Sequence, residues 1–228
     1  MFKHKNLLLS TVVLFAVGFA GSSTAALITN GFTYAVADNC GGIGSHFHSN
    51  TGGVYGNPAG KAEVGRFSCE EVRGLSEYDL TGLGAVSDAF VSFEVFKAGG
   101  LFTGTNDFPF DGTIQIDAYT GNNLENIADF NASSRGIVTS FSTAGLVVGN
   151  TLSFNVTGLY SQAITDNLSS LGIRLAAVPL NTNGGAWTFD NFRLTTDDQT
   201  TSVPEPASLA LLGIGLAGLG FTRRRKRA

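Results

Sequence analysis

Between residues 27 and 200 apolar positions alternate with polar or small ones, the period of two that marks half-buried strands. "GTIQIDAYT" from Gly112 sets Ile114, Ile116 and Ala118 on one face and Gln115, Asp117 and Tyr119 on the other. "AFVSFEVFKA" from Ala89 sets Val91, Phe93 and Val95 against Phe90, Ser92, Glu94 and Phe96. The alternation continues in "GFTYAVAD" from Gly31, "KAEVGRFS" from Lys61, "GIVTSFST" from Gly136, "TLSFNVT" from Thr151, "LGIRLAAVPL" from Leu171 and "WTFDNFRLT" from Trp187. Turn formers fall between these runs, at Asp111-Gly112, Gly121-Asn122-Asn123, Gly149-Asn150 and Asn183-Gly184-Gly185. One stretch departs from the pattern. "GLYSQAITDNLSS" from Gly158 reads as a short helix with Leu159, Ala163 and Ile164 facing inward. Short strands, Gly- and Asn-rich turns and one crossing helix predict an all-β fold, an antiparallel β-sandwich of jelly-roll type. The 18 Phe and the single Trp would fill a core between two sheets.

Both ends break the alternation with continuous apolar runs. At the start, Lys3 and Lys5 precede an apolar stretch over residues 7–19, and small residues follow to Ala26. That order is a secretory signal peptide, with cleavage expected after Ala25 or Ala26. The run is short of the ~20 residues a spanning helix needs, which argues against an uncleaved anchor. At the other end, residues 207–221 form a second apolar run. As a helix it reaches about 22 Å, less than a hydrocarbon core of about 30 Å. Gly213, Gly215, Gly218 and Gly220 weaken that helix further. Arg223, Arg224, Arg225, Lys226 and Arg227 follow it, a cluster that stays on the cytoplasmic side and holds the body outside. Pro204 and Pro206 keep "VPEP" extended and accessible ahead of the run. The predicted division is therefore a signal peptide over 1–26, a β-sandwich domain over 27–200 and a transmembrane sorting helix within 201–228.

"VPEPASLALLGIGLAGLGFTRRRKRA" resembles the PEP-CTERM sorting signal of Gram-negative bacteria in all three of its parts: the Val-Pro-Glu-Pro step, the Gly/Leu-rich span and the terminal basic cluster. The resemblance implies recognition by an exosortase, a membrane-embedded cysteine transpeptidase. It implies transient anchoring in the inner membrane, removal of the tail near Pro204–Pro206, and delivery to the cell surface or the exopolysaccharide matrix. Val203, Pro204, Glu205 and Pro206 are then residues acted upon. An ordinary tail anchor is the alternative, although such anchors need no signal peptide. Residues 112–195, ending in "FDN" at Phe189, also resemble the last strands of secreted jelly-roll domains, carbohydrate-binding ones among them.

Charge narrows the partners. Seven of the 14 basic residues but 17 of the 18 acidic ones lie within residues 26–203. A body that acidic repels phosphate backbones and excludes nucleic acid as a partner. Cys40 and Cys69 have no CxxC neighbour, so in an exported chain a disulfide is expected rather than a reactive thiol or a metal site. His46 and His48 stand at i and i+2, a spacing that would aim both at one metal from a strand or leave both solvated in a loop. Asp107, Asp111 and the pair Asp190-Asn191 offer oxygen ligands for a structural Ca²⁺, with Asp190 favoured by the second resemblance; capping of turns is the alternative. No other cofactor is expected. Glu70, Glu71, Glu77 and Asp79 form an acidic cluster that would serve a polysaccharide hydrolase if two carboxylates stood about 5–10 Å apart, or would simply be a solvated edge. Tyr34, Tyr55, Tyr119 or Trp187 could stack on sugar rings if exposed, although Trp187 is expected in the core. No nucleophile or nucleotide-binding motif is present. The expectation is a non-enzymatic surface or matrix protein, structural or glycan-binding, with the hydrolase as the alternative.

Overall fold

A computed structural model of the chain describes residues 27–42, 45–51, 58–104, 106–180 and 183–196. The expected signal peptide and sorting helix lie outside the described residues. The strands run, in chain order, β1 (Leu27–Asn30), β2 (Phe32–Ala37), β3 (Ser45–His48), β4 (Ala62–Phe67), β5 (Glu70–Asp79), β6 (Phe90–Lys97), β7 (Thr113–Thr120), β8 (Ser134–Ser142), β9 (Thr151–Asn155), β10 (Ser170–Ala177) and β11 (Gly185–Thr195). A 3₁₀ turn spans Ile127–Asn131, and the predicted helix appears as α1 (Thr157–Thr165). Its buried residues are Tyr160 and Ala163. Leu159 and Ile164 pack against the core only in part.

Every strand pairing is antiparallel. The strands form one hydrogen-bonded path, β8-β7-β10-β5-β4-β11-β6-β9, with β1 beside β11, β2 beside β5 and β3 on the far side of β2. The path is continuous because β5, ten residues long, serves both halves. Glu70–Val72 close a hairpin on β4, while residues 74–79 pair with β10 along the same edge. The sheet then curls until its two edge strands nearly meet. Phe141 on β8 stacks on Phe154 on β9, ring centres 5.5 Å apart. A nearly closed sheet leaves little edge for association with other chains.

The concave face holds the core. Val91, Phe93 and Val95 are buried as the alternation predicts, and Ile114, Ile116 and Ala118 face them from β7. Phe93 lies at the centre, stacked on Phe192 at 4.7 Å and meeting Phe189 edge-on at 5.3 Å. Both geometries suit the quadrupoles of the rings.

The convex face is not left to solvent where β2, β5, β10 and β7 run side by side. The segment carrying the 3₁₀ turn lies across it and buries Tyr34, Leu75, Tyr119 and Phe130. Arg174 beneath this segment donates to the carbonyls of Asp129, Phe130 and Ala132 and to the Asp117 carboxylate. Glu77, fully buried, accepts from the Tyr119 hydroxyl (3.1 Å), from Ser170 (3.2 Å) and from the backbone N–H of Asn122 (2.8 Å) and Asn123 (2.6 Å). Buried charge survives here because nearly every polar atom has a partner.

Candidate functional site

Strand β11 changes parity in its middle. Trp187 and Phe189 point into the core at odd positions, whereas Phe192 and Leu194 do so at even ones. The switch is a β-bulge: the register with β6 shifts between Asp190 and Arg193, and Asn191 adopts φ 52°. Asparagine tolerates that left-handed conformation better than most residues. The extra residue lets Phe189 and Phe192 both reach Phe93, and it turns Asp190 and Asn191 outward together.

Three strands set charged groups around the bulge. Asp190 pairs directly with Glu94 on β6, and Phe189 pairs with Ala62 on β4, so Lys61 arrives beside Asp190 from the other side. Lys61 Nζ lies 2.6 Å from Asp190 Oδ2 and 3.9 Å above the centre of the Phe96 ring. Glu94 accepts from Arg193 (3.0 Å) and from Asn191 Nδ2 (2.9 Å). These groups line a cleft of about 540 Å³, completed by Asn30, Gly31, Thr33 and Asn50. Gly31 cannot be replaced there without collision, since a Cβ would fall 2.0 Å from Ser76 Oγ and 2.9 Å from Phe192 Cβ. Thr33 N–H donates to Asn50 Oδ1 at 3.0 Å, which ties the far wall to β2.

The predicted site residues scatter. Asp190 and Asn191 are together in the cleft, but the positive charge beside Asp190 is the Lys61 ammonium, and among the described residues no group of three or more His, Cys, Asp or Glu could hold a metal ion. Cys40 and Cys69 form the expected disulfide, Cα atoms 5.0 Å apart, tying the turn after β2 to the β4–β5 turn. His48 is buried and its Nε2 lies 2.7 Å from Glu63, which also receives the N–H of Leu101 (2.9 Å) and the side-chain amide of Asn106. That network is internal to the fold. His46 pairs through its backbone with Val36. Asp107 pairs with Lys97.

The acidic cluster after Cys69 belongs to β5 and its hairpin. Glu71 is held by Arg73 at 2.6 Å, Glu77 lies buried under the convex cover, and Asp79 caps the turn at Thr81. Glu71 and Glu77 are six positions apart on one strand, about 20 Å, beyond the spacing of a glycosidase pair. The aromatic residues offered for sugar stacking are inside: Tyr34 and Tyr119 are fully buried, and Trp187 is 4% exposed with its indole N–H on the Phe110 carbonyl. Burial corrects that expectation for Tyr34 and Tyr119, because the convex face of the sheet is covered, while Trp187 takes the core place expected of it. Tyr55 lies outside the described residues. Lys61 and Glu94 were not singled out by the sequence, and only the strand register brings them to Asp190.

The sorting residues Val203 to Pro206 and the basic cluster also lie outside the described residues, and comparison with known families speaks for them. Residues 202–226 match the PEP-CTERM protein-sorting motif. The chain carries a PEP-CTERM sorting signal. That signal spans the Val-Pro-Glu-Pro step, the apolar run and the basic cluster as far as Lys226. A PEP-CTERM signal suggests export, transient membrane anchoring and processing by an exosortase. No curated protein matches the chain.

Proposed function

We propose that this PEP-CTERM protein is a non-catalytic component of the cell surface or exopolysaccharide matrix of a Gram-negative bacterium. The signal peptide directs export, the tail holds the chain in the inner membrane, and an exosortase removes it near Pro204–Pro206. The body, read as a jelly-roll-like sandwich, then associates with exopolysaccharide. The sorting motif at residues 202–226 carries this reading. The body is compatible with it. The acidic balance of residues 26–203 suits no nucleic-acid role, and the cleft carboxylates Asp190 and Glu94 are each paired with a cation rather than with one another. Fractionation of the native host tests the proposal. The protein is expected to co-sediment with matrix polysaccharide and to be released when that polysaccharide is digested. Protein found free in the medium whether or not the polysaccharide is intact would overturn it.

A further inference from the structure

We propose that the cleft at the β11 bulge binds an uncharged saccharide through its ring hydroxyls, an inference that rests on the matrix reading above. The volume of about 540 Å³ falls within the range of small-ligand sites, about 300–1,000 Å³. Its charges cancel, with Lys61 and Arg193 against Asp190 and Glu94. A charged ligand would gain no net attraction and would have to compete with ion pairs already made.

The internal bonds leave a particular set of groups over. Lys61 engages only Oδ2 of Asp190, so Oδ1 remains as an acceptor. Asn191 commits Nδ2 to Glu94 and keeps its amide oxygen. Asn50 commits its amide oxygen to Thr33 N–H and keeps Nδ2 as a donor. The side chain of Asn30, at the rim, enters no hydrogen bond among the described residues. The cleft therefore offers both donors and acceptors. Neighbouring sugar hydroxyls, each of which donates and accepts, match such a set, and a purely anionic or purely cationic group does not.

Among the described residues no aromatic face is open in the cleft. Phe192 is 3% exposed, and the Phe96 ring is covered by Lys61. Recognition by the described residues then rests on hydrogen bonds, in a site open to water, and the expected dissociation constant for a short oligosaccharide is about 1 mM. Such affinity suits a protein that meets its ligand many times along a polymer. The bulge mounts Asp190, Asn191 and Glu94 on paired strands, which fixes that side of the site.

Titration calorimetry and saturation-transfer NMR on the mature protein isolated from its host test the proposal. The probes are maltotetraose, cellotetraose and mannotetraose as neutral ligands, tetragalacturonate as the acidic one and chitosan tetramer as the basic one. Binding of at least one neutral probe, and of neither charged one, is expected. Asn30→Ala breaks no internal bond and should weaken binding several-fold at an unchanged melting temperature. Asp190→Asn should weaken it about tenfold, the loss of a hydrogen bond to a charged acceptor. Silence of all three neutral probes, binding of a charged probe alone, or unchanged binding in both variants would overturn the inference. A protein that co-sediments with matrix yet binds no neutral probe sinks the cleft and spares the matrix reading. One that binds in solution but is absent from the matrix does the reverse.

Discussion

Asp129 keeps its proton to a higher pH than an exposed aspartate does. It sits in the 3₁₀ turn over the convex face, and burial pushes its carboxyl up to about 6, with the nearby Glu77 carboxylate adding to the rise. The hydroxyl of Tyr34, donating at 2.7 Å, and the charge of Arg174 pull the other way without cancelling it. Tyr119 completes the ring of groups around it. In the unfolded chain the same carboxyl ionises near 3.8. Between these values the folded state binds the extra proton, so this residue's contribution to stability is full at low pH and is lost as pH rises through about 6. Asp129→Asn can still accept from Tyr34 but carries no charge. Its melting temperature relative to wild type should therefore rise between pH 4 and pH 7.5, and an equal difference at both pH values would contradict this account. The sequence showed an Asp in a loop and nothing more, since its neighbours come from β2, β5, β7 and β10. Lys61 and Asp190 were hidden in the same way, 129 positions apart in the chain. Asp190 was legible as a candidate ligand residue, but the cation that faces it was not.

At the scale of elements, alternation was a reliable guide where polar and bulky positions took turns, as in β7, and in β6 it held for the inward Val91, Phe93 and Val95 although Phe90 and Phe96 share the outer face. It failed for β5, the strand on which the sheet depends. Glu71, Arg73, Glu77 and Asp79 occupy its convex positions, while Val72, Gly74 and Ser76 bring little bulk to the other face. Read along the chain, that is an acidic cluster; read in space, Glu71 pairs with Arg73, Glu77 is buried under the convex cover and Asp79 caps an exposed turn. The bulge of β11 leaves only a slip in the period, with Phe189 and Phe192 three positions apart, and the register with β6 is what shows that slip to be a bulge. The disulfide was legible from composition, and it acts on these same elements by tying the end of β2 to the β4–β5 turn. It closes a separation of 29 residues, for which chain entropy gives about 3.5 kcal/mol. The Cys40→Ala, Cys69→Ala double variant should lose roughly that much in urea unfolding, with a lower midpoint. An unchanged midpoint would show that the hairpin and β2 are held without it.

For the whole molecule, fold and address were legible to different degrees for a physical reason. A sorting signal must be recognised from a short extended segment, so its information is local and survives in the sequence. A cleft built by strand register has no such local trace. The central claim is that the tail is a temporary handle: its apolar run is too short and too rich in glycine for a durable span, and its arginines resist translocation. Intact mass spectrometry of the protein purified from its native host tests this most directly. The predicted mass is that of a chain lacking both the leader and everything beyond the Pro204–Pro206 step. A mass that still includes Arg223 to Arg227, in protein recovered from the inner membrane, would contradict it.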